Sequence, residues 1–559
     1  MKARGWWVVV VLLLAAMATA LVTSARLENQ TWDEAIHLTS GYTYLRLGSY
    51  RLSWENPPLG KLLCAAPLLA ASLRLPTEHE SWRNGDTVMF SAIFLYRNFL
   101  KPDTLLLLGR LPTMALTLLL GLALALWTRK HFGPAVAVLA LFFYALDPNF
   151  TAHGHYVTTD LIAALTAFLA VAAWTRFLLT KRWPDLIWAG LALGLALASK
   201  YSLLVLLVLL PLLYLVRWWQ QPQRYCIRHL LASHAALVAL SGVIILLVYL
   251  PDSTRRLAKG NSAPLAAYAT QSNFVSRALR LAGERLHVPP HAYLLGVNVV
   301  ARHNESGNPA YLLGTISEKG RWYYFPVAMA VKTPTAVLLL LLLAAAGGIP
   351  WLARGGLPAK LRAAPFPWLV ALIAPLAYLG FTMFSDLNLG LRHVLPVYPF
   401  LFVVAAATLW RHRHWALITL VLAVQVWEYA NIAPDFLAFF NTPAGGAEHG
   451  LDYLADSNLD WGQDIKKLAR YRAEHGIGKL KLAYFGTTDV NYYLGPHERI
   501  DASWPGGSGE RLDSVVVISA KLLTGLYGAG NRFAWFRRRE PDARIGHSLY
   551  VYDLRKEAR

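Results

Sequence analysis

The sequence contains little cysteine and little charge for its length. Of its 559 residues only 2 are cysteines and 15% are charged, whereas 56% are hydrophobic. Soluble domains carry about 25% charged residues, so this composition excludes an ordinary soluble protein. In the membrane topology that the distribution of lysine and arginine predicts, Cys64 and Cys226 fall on opposite sides. That placement excludes a disulfide between them and a thiolate metal site.

Nucleotide-binding motifs are also absent. The sequence has no Walker loop and no glycine-rich dinucleotide fingerprint, so nothing in it supports a reaction that uses a soluble nucleotide. The formal net charge of +20 would by itself suggest an anionic partner. Much of that charge lies at the ends of apolar runs, where it sets the orientation in a membrane. We therefore expect no nucleic acid partner.

Long apolar runs are abundant instead. A run of about 18 residues or more can cross the hydrocarbon core of a bilayer. Such runs predict an α-helical polytopic membrane protein with about eleven transmembrane helices, at 6–24, 104–127, 134–150, 156–178, 186–199, 201–217, 230–250, 326–349, 367–384, 393–410 and 414–432. The runs 186–199 and 201–217 could also form one broken helix, which would reverse the orientation of every later segment.

Lysine and arginine are distributed unevenly between the two sets of loops. Three short turns, at 151–155, 199–201 and 385–392, hold only Lys200 and Arg392. Because positive charge favours the cytoplasmic side, this bias predicts separate spans, a cytoplasmic N-terminus and an extracytoplasmic C-terminus. The first apolar run could also pass for a cleaved signal peptide, but its length favours an uncleaved span.

Three long polar segments lie on the predicted outer side. We expect a transmembrane catalytic domain at 1–432 with outside loops at 25–103 and 251–325, followed by a small soluble α/β domain at 433–559. The tail contains one helix-like stretch and three short β-rich runs bounded by glycine, aspartate and proline. They are 465–475, 479–485, 514–519 and 547–552.

Carboxylates occur close to the predicted outer surface. Asp33 and Glu34 follow the first span, where such a pair can act as a general base, stabilise a cation or bind a metal. The pair could also be only a solvated helix N-terminus. Asp160 lies at a membrane boundary, where an ionised side chain usually faces a cavity or a partner. It could equally be a helix N-cap.

Four cations lie on the same predicted side as these carboxylates. They are Lys61, Lys200, Lys332 and Arg392. Any one of them could simply extend to lipid headgroups. Together with the acidic groups they favour a phosphorylated substrate carried by a lipid, because arginine binds phosphate through two donors at once.

The run from Asp456 to Asp464 imitates the start of a calcium-binding loop. Its glycine, Gly462, comes one position late, and Lys467 stands where a bidentate glutamate belongs. We therefore interpret the run as a structural turn that caps the following helix.

Five motifs, by their order and shared side of the membrane, resemble the protein O-mannosyltransferase family. They are Asp33-Glu34, Asn56-Pro57-Pro58-Leu59-Gly60-Lys61, His155-Tyr156-x-x-x-Asp160, Ala198-Ser199-Lys200-Tyr201-Ser202 and Arg392-His393-Val394-Leu395-Pro396. That family and the lipid A aminoarabinose transferases belong to the GT-C glycosyltransferases. The resemblance covers roughly residues 1–432.

The resemblance implies transfer of one sugar from a polyprenyl-phosphate sugar donor to an acceptor outside the membrane, with inversion. It implies that Asp33 is the base, supported by Glu34, and that Asp160 orients acceptor or base. The implied ligands of the donor phosphate are Lys200, Arg392 and, less directly, Lys61. The implied supporting or acceptor-binding residues are His155, Tyr156 and His393.

Two departures leave the acceptor and any metal open. Asn56 stands where the mannosyltransferases typically have histidine, whereas Glu55 matches an acidic residue of the aminoarabinose branch, which implies a divalent metal nearby. The 251–325 loop is too short for the β-trefoil insertion of the eukaryotic mannosyltransferases. The acceptor could therefore be a protein, a lipid or a glycan.

Two other classes of function would use some of the same features. A lipid flippase or transporter would favour charges deep within spans, of which Arg110 and Glu428 are the main examples. A glycan polymerase or ligase would also use polyprenyl carriers and outside loops. Composition suggests a bacterial inner membrane, with the active side facing the periplasm.

Overall fold

The computed structural model describes residues 3–258, 291–353, 356–412, 414–500, 514–527, 530 and 532–556. Within these ranges the chain is mostly helical, with a small mixed sheet near its C-terminal end. The central part of the predicted 251–325 loop, residues 259–290, lies outside the described residues.

The helices fall into a bundle, the segments that connect its members, and the tail. They are α1 Ala3–Leu27, α2 Glu34–Leu47, α3 Leu59–Ala65, α4 Glu80–Asn84, α5 Thr87–Tyr96, α6 Pro102–Phe132, α7 Pro134–Ala145, α8 Pro148–His153, α9 Asp160–Thr180, α10 Trp183–Leu197, α11 Leu206–Gln220, α12 Ile227–Ala258, α13 His291–Ser306, α14 Tyr324–Lys332, α15 Thr335–Ala353, α16 Leu357–Ala363, α17 Phe366–Thr382, α18 Tyr398–His412, α19 Trp415–Ile432, α20 Gly450–Tyr453, α21 Ile465–Glu474, α22 Val490–Leu494, α23 Ala520–Leu523 and α24 Ala534–Arg537.

Short 3₁₀ turns precede or extend several of these helices. They are Ala66–Ala70, Tyr201–Val205, Leu391–Val397, Phe436–Ala438, Thr442–Ala444, Ala447–His449, Asp456–Asn458 and Leu554–Lys556. The strands are β1 Ala310–Leu312, β2 Thr315–Ser317, β3 Leu480–Ala483, β4 Glu498–Arg499, β5 Val515–Ser519, β6 Ala543–Ile545 and β7 Leu549–Asp553.

Seven helices in the described part of the chain are long and apolar enough to cross a membrane. They are Arg4–Leu27, Pro102–Phe132, Asp160–Thr180, Tyr201–Gln220, Ile227–Ser253, Leu391–His412 and Trp415–Ile432. Two bent pairs raise the number to nine if each pair is one span. The multi-span helical class predicted from the apolar runs is therefore confirmed, whereas the count of eleven is not.

Proline and polar breaks explain the difference in count. The predicted span 134–150 ends as a helix at Ala145, because Asp147-Pro148 starts a new turn, and 186–199 forms the 15-residue helix α10. At 1.5 Å per residue, helices of that length fall short of a hydrocarbon core of about 30 Å. The predicted span 326–349 is bent by 119° between α14 and α15, where Pro334 interrupts it.

The central helices of the bundle are buried and the peripheral ones are not. In the apolar windows of Asp160–Thr180 and Leu391–His412, 78% of the residues are buried inside the protein, against 17% for Ile227–Ser253. The peripheral helices expose large apolar side chains such as Val243 and Leu247. Lipid tails can cover such surfaces, which suits a bundle placed in a bilayer.

The tail folds around a five-stranded mixed sheet with the order β4-β3-β5-β7-β6. Strand β3 is parallel to β4 and β5, whereas β7 is antiparallel to β5 and β6. Ile465 and Leu468 of α21 pack on Val515, Val517 and Leu549 of the sheet. The predicted helix and β-rich runs of the tail are thus present, within a few residues of their expected bounds.

Candidate active site

Asp33 lies at the start of α2 with its carboxylate partly open to solvent. Its side chain is 25% exposed and accepts a hydrogen bond of 3.0 Å from Nη1 of Arg392. It makes no capping hydrogen bond to the helix. Its contact with a cation from a distant segment therefore distinguishes it from a helix cap.

Arg392 connects Asp33 to a second carboxylate. It sits on the 3₁₀ turn that precedes α18, and its Nη1 also lies 3.6 Å from Oδ2 of Asp160. Its side chain is 12% exposed, and its Nε atom is buried without a hydrogen-bond partner. The guanidinium thus retains an unused donor at the point where the two carboxylates converge.

Asp160 pairs with Lys200 as well as with Arg392. Asp160 is the first residue of α9, and Lys200 lies in the break between α10 and the turn that leads into α11. The order of the charged groups is therefore Asp33, Arg392, Asp160, Lys200, with the signs alternating. We call these four side chains the ion cluster. The structure thus brings together four of the predicted site residues from segments more than 350 residues apart.

Glu34 belongs to a different environment from its neighbour. Its Oε1 and Oε2 accept hydrogen bonds from Nε and Nη2 of Arg110 at 2.8 Å and 2.7 Å, and both side chains are fully buried. The carboxylate also accepts from the backbone N–H groups of Thr31 and Val157. We call Glu34 and Arg110 the buried pair. Because its four acceptor positions are filled, this carboxylate has a structural role and connects the start of α2 with Arg110 of α6 and with Val157.

Lys61 is buried against backbone carbonyls. Its Nζ donates to the carbonyl oxygens of Ser53 and Asn56 and lies 5.6 Å from the centre of the Tyr44 ring. Burial lowers the pKa of Lys61 to about 7. In this arrangement Lys61 closes the turn that contains the Pro-Pro motif. Its predicted contact with the donor phosphate stays a prediction.

The predicted supporting residues lie around the ion cluster rather than within it. Both ring nitrogens of His155 face acceptors, the carbonyl of Thr151 and the carboxylate of Glu28, each at 2.9 Å. The Tyr156 ring lies 5.6 Å from the Arg110 guanidinium. His393 follows Arg392, and its ring lies 6.3 Å from that of Phe325. Their predicted roles stay untested.

Glu55, the predicted metal-binding residue, is exposed. Among the residues that the structure describes, no three histidine, cysteine, aspartate or glutamate side chains gather to hold a metal ion. Asp33 and Asp160 of the ion cluster are both paired with cations. The described carboxylates therefore do not form a recognisable metal site.

Two residues of this region are missing from the site that the sequence predicts. In the sequence Arg110 is only a charge within a span, although a buried arginine requires an acidic partner, which is a usable signal. In the sequence Trp461 belongs to a run that indicates a turn, but its ring centre lies 4.2 Å from the guanidinium carbon of Arg392. No local pattern connects Trp461 with Arg392, since 69 positions separate them.

Comparison with known proteins gives one family match. Residues 105–249 match the family described as dolichyl-phosphate-mannose-protein mannosyltransferase. The matched range includes Arg110, Asp160 and Lys200 and ends before Arg392. No curated protein sequence matches the chain significantly.

Several solved structures match the chain in part, at low identity and low TM-score. ArnT from Cupriavidus metallidurans bound to undecaprenyl phosphate has 14% identity and a TM-score of 0.46, over 98% of each chain. The oligosaccharyltransferase of Archaeoglobus fulgidus in the apo form has 12% identity and a TM-score of 0.47, over 95% of this chain and 72% of that one. The Pmt1-Pmt2 complex of S. cerevisiae bound to its sugar donor has 17% identity and a TM-score of 0.35, over 46% and 34%.

The family match covers the span that carries Arg110, the span that begins at Asp160 and the turn that holds Lys200. Those segments also carry two of the five motifs read from the sequence. The match therefore supports the resemblance drawn from the motifs, and the chain is similar to the GT-C glycosyltransferases.

Proposed function

We propose that the protein is an integral membrane glycosyltransferase that moves a single sugar from a polyprenyl-phosphate-linked donor to an acceptor hydroxyl on the outer face, with inversion. The observation that carries the proposal is the ion cluster, in which two carboxylates and two cations alternate. Such a transfer needs a base for the hydroxyl and fixed positive charge for the departing phosphate. The family match supports the same class of reaction.

Asp33 is the base in this proposal. It is the most exposed carboxylate of the ion cluster, so it can reach an acceptor that arrives from the aqueous side. Asp33 takes the proton of the hydroxyl as the oxygen attacks the anomeric carbon. Attack from the side opposite the phosphate inverts the configuration at that carbon.

Arg392 and Lys200 hold the donor phosphate. The buried and unpartnered Nε of Arg392 provides a donor that its carboxylate neighbours do not use. The phosphodiester of the donor carries one negative charge, as a carboxylate does, and its two non-bridging oxygens can take the place of Asp33 on the Nη1 of Arg392. This exchange frees Asp33 to act as a base only when the donor is bound.

Asp160 sets the positions of both cations through its contacts with Lys200 and Arg392. Glu34 supports Asp33 indirectly, since its four hydrogen bonds fix the first turn of α2 against α6 and residue 157. The predicted supporting residues lie around the ion cluster, and in this proposal they help to position the acceptor; they are His155, Tyr156 and His393. A divalent metal near Glu55 remains a separate hypothesis that the ion cluster does not require.

The proposed reaction implies an orientation in the membrane. The positive-inside bias supports a cytoplasmic N-terminus, and in this orientation we propose that the ion cluster and the 433–559 domain face the periplasm from an inner membrane. We propose that 1–432 is the catalytic domain and that the tail takes part in acceptor selection.

The charges that would favour a transporter have structural partners. Arg110 is held by Glu34, and Glu428 accepts hydrogen bonds from the backbone and hydroxyl groups of Thr335 and Thr442. Neither side chain is left to bind a solute within the bundle. The transporter alternative therefore loses its main support.

The test uses purified protein in lipid with a panel of radiolabelled polyprenyl-phosphate sugars and crude envelope as acceptor. We expect acceptor-dependent release of polyprenyl phosphate from one donor, lost in Asp33→Asn. Donor that crosses the bilayer intact, with no cleavage, would overturn the proposal in favour of a flippase. Products that carry many added sugar units would instead identify a polymerase.

A further inference from the structure

The run 456–464, interpreted from the sequence as a turn, occupies a position between three parts of the molecule. Asp464 precedes α21 but makes no capping hydrogen bond to it; its carboxylate instead accepts from the hydroxyl of Ser548, at 2.6 Å. Asp456 forms an ion pair of 2.8 Å with Lys521, beside the sheet. Both ends of the run are thus bonded to later parts of the tail, at Lys521 and Ser548.

The middle of the run is bonded to the segment that carries Arg392. Oδ1 of Asn458 accepts a hydrogen bond of 2.9 Å from the backbone N–H of Leu391. The hydroxyl of Ser457 donates to the carbonyl of Leu389. These two bonds hold the chain immediately before Arg392.

The other side of the run is bonded to the segment that carries Asp33. The backbone N–H of Trp32 donates to the carbonyl of Trp461 at 2.9 Å, and that of Asn29 donates to the carbonyl of Gln463 at 3.1 Å. The side-chain amide of Asn29 donates to the carbonyl of Gly462 at 2.7 Å. One short run of the tail therefore fixes the segment of the proposed base relative to the segment of the proposed phosphate-binding arginine.

The Trp461 side chain extends from this run to Arg392. Its indole is 2% exposed, and its ring centre lies 4.2 Å from the guanidinium carbon of Arg392. The rings of His153 and Tyr156 lie at 5.9 Å and 5.7 Å and meet the indole at steep angles. The indole is thus confined by its neighbours in a fixed position beside the guanidinium.

A ring under a guanidinium acts differently from a carboxylate. The donors of arginine lie in the plane of the group, so an aromatic ring against its face attracts the charge without using any N–H. Asp33 and Asp160 each compete with a phosphate for those N–H groups, whereas Trp461 does not. The cation–π contact can therefore persist while Arg392 exchanges a carboxylate for the phosphate.

We propose that Trp461 is a positioning residue that holds the guanidinium of Arg392 for the phosphate of the polyprenyl donor, so that the tail completes the active site. The proposal rests on the proposed function for the identity of that ligand. It assigns to the tail a direct part in donor binding, in addition to any part in acceptor selection.

The experiment measures the affinity of full-length protein in lipid nanodiscs for undecaprenyl phosphate, which requires no sugar transfer. Tryptophan with one, two, three or four ring fluorines is introduced at position 461, since fluorine weakens the negative face of the ring with little change in shape. We expect the affinity to fall stepwise with each fluorine. An affinity that does not change along this series would overturn the proposal.

Substitutions give a second reading. We expect Trp461→Leu to weaken binding by about tenfold, and Trp461→Phe to restore most of the affinity because it keeps an aromatic face. Equal losses in the Leu and Phe variants would indicate packing alone and would also overturn the proposal. Trp82→Leu is the matched control, because Trp82 lies 4.7 Å from the guanidinium of Arg51 in a comparable pair outside the site.

The outcomes separate this proposal from the proposed function. If the wild type transfers sugar but fluorination of Trp461 leaves the affinity for undecaprenyl phosphate unchanged, the role of Trp461 alone is refuted. If fluorination lowers the affinity but the wild type transfers no sugar, the proposed function alone is refuted. A wild type that does not bind undecaprenyl phosphate would overturn the proposed role of Trp461 in donor binding.

Discussion

Asp33 and Glu34 are adjacent in the chain, and their surroundings differ in almost every physical respect. Asp33 is partly exposed and meets Arg392 through a single hydrogen bond. Glu34 is fully buried and meets Arg110 through two, with two backbone N–H groups completing its shell. Successive residues on a helix point about 100° apart, so Asp33 faces a side that is partly open to solvent and Glu34 faces the bundle interior.

The contrast separates a site from its support. The ion cluster has exposed edges and a guanidinium nitrogen without a partner, so a ligand can join it or replace one of its contacts. In the buried pair every carboxylate position is filled, and removal of one partner would leave a charge uncompensated in a dry environment. The same chemical group, a carboxylate, is thus open to a ligand at Asp33 and enclosed within the fold at Glu34.

The largest expected effect is on catalysis by Asp33. Asp33→Asn should lower the rate of transfer by about 10²-fold to 10⁴-fold, the usual contribution of a general base. Its affinity for polyprenyl phosphate should be retained or rise, because Arg392 keeps its charge and loses a competing carboxylate. Release of labelled polyprenyl phosphate and equilibrium binding would measure the two quantities.

Asp86→Asn is the matched control for this change. Asp86 is an exposed cap of α5, and asparagine caps a helix about as well as aspartate. We expect full activity from it. A rate of transfer by Asp33→Asn close to that of the wild type would show that Asp33 does not differ from Glu34 by acting as a base.

The next effect is on stability through Glu34. Glu34→Gln should lower the free energy of unfolding by about 3 kcal/mol, because it leaves the buried charge of Arg110 without its counterion. Adding Arg110→Met should recover part of the loss, since the double variant buries no charge there. Denaturation midpoints of the two single variants and the double variant would give the coupling. Strictly additive losses would contradict the description of a buried pair.

A smaller effect is expected on donor affinity through Arg392. Arg392→Lys keeps the charge but loses the planar set of donors, so polyprenyl phosphate should bind about tenfold more weakly. Arg51→Lys, which alters an arginine outside the ion cluster, should leave the affinity unchanged. Equal affinities for wild type and Arg392→Lys would mean that positive charge alone suffices there.

The smallest effect concerns His37, which supports the same backbone as Glu34. Its Nδ1 donates to the carbonyl of Val157, whose N–H donates to Glu34. Burial lowers the pKa of His37 to about 4 from 6.5. Between these values the unfolded chain binds more protons than the folded protein does, so this group lowers stability as the pH falls from 6.5 towards 4.

Unfolding midpoints measured from pH 7 to pH 4 would test this expectation. His37→Gln should reduce the loss of stability on acidification, whereas His475→Gln, at an exposed position of the tail, should not. An identical pH profile for wild type and His37→Gln would show that the buried side of α2 is insensitive to protonation.

Much of the helical framework could be predicted because it depends on local composition. Apolar runs set the long helices, and the alternating runs of the tail set its strands. The predicted count of eleven spans is not confirmed where local breaks interrupt the apolar runs, as at Asp147-Pro148 and at Pro334. Whether a short apolar helix crosses a membrane depends on its neighbours, which a single run does not reveal.

The sequence by itself determined that this is a multi-span membrane protein with carboxylates and cations gathered towards one face. Composition and the distribution of charge between the two sets of loops suffice for that conclusion, since both are sums over single residues and require no tertiary contacts. Only the tertiary structure decided which of these groups are in contact. Asp33 pairs with Arg392 and Glu34 pairs with Arg110. Trp461 of the tail lies beside Arg392. Those pairings join segments far apart in the chain, and only the packing of the bundle and the tail brings them into contact.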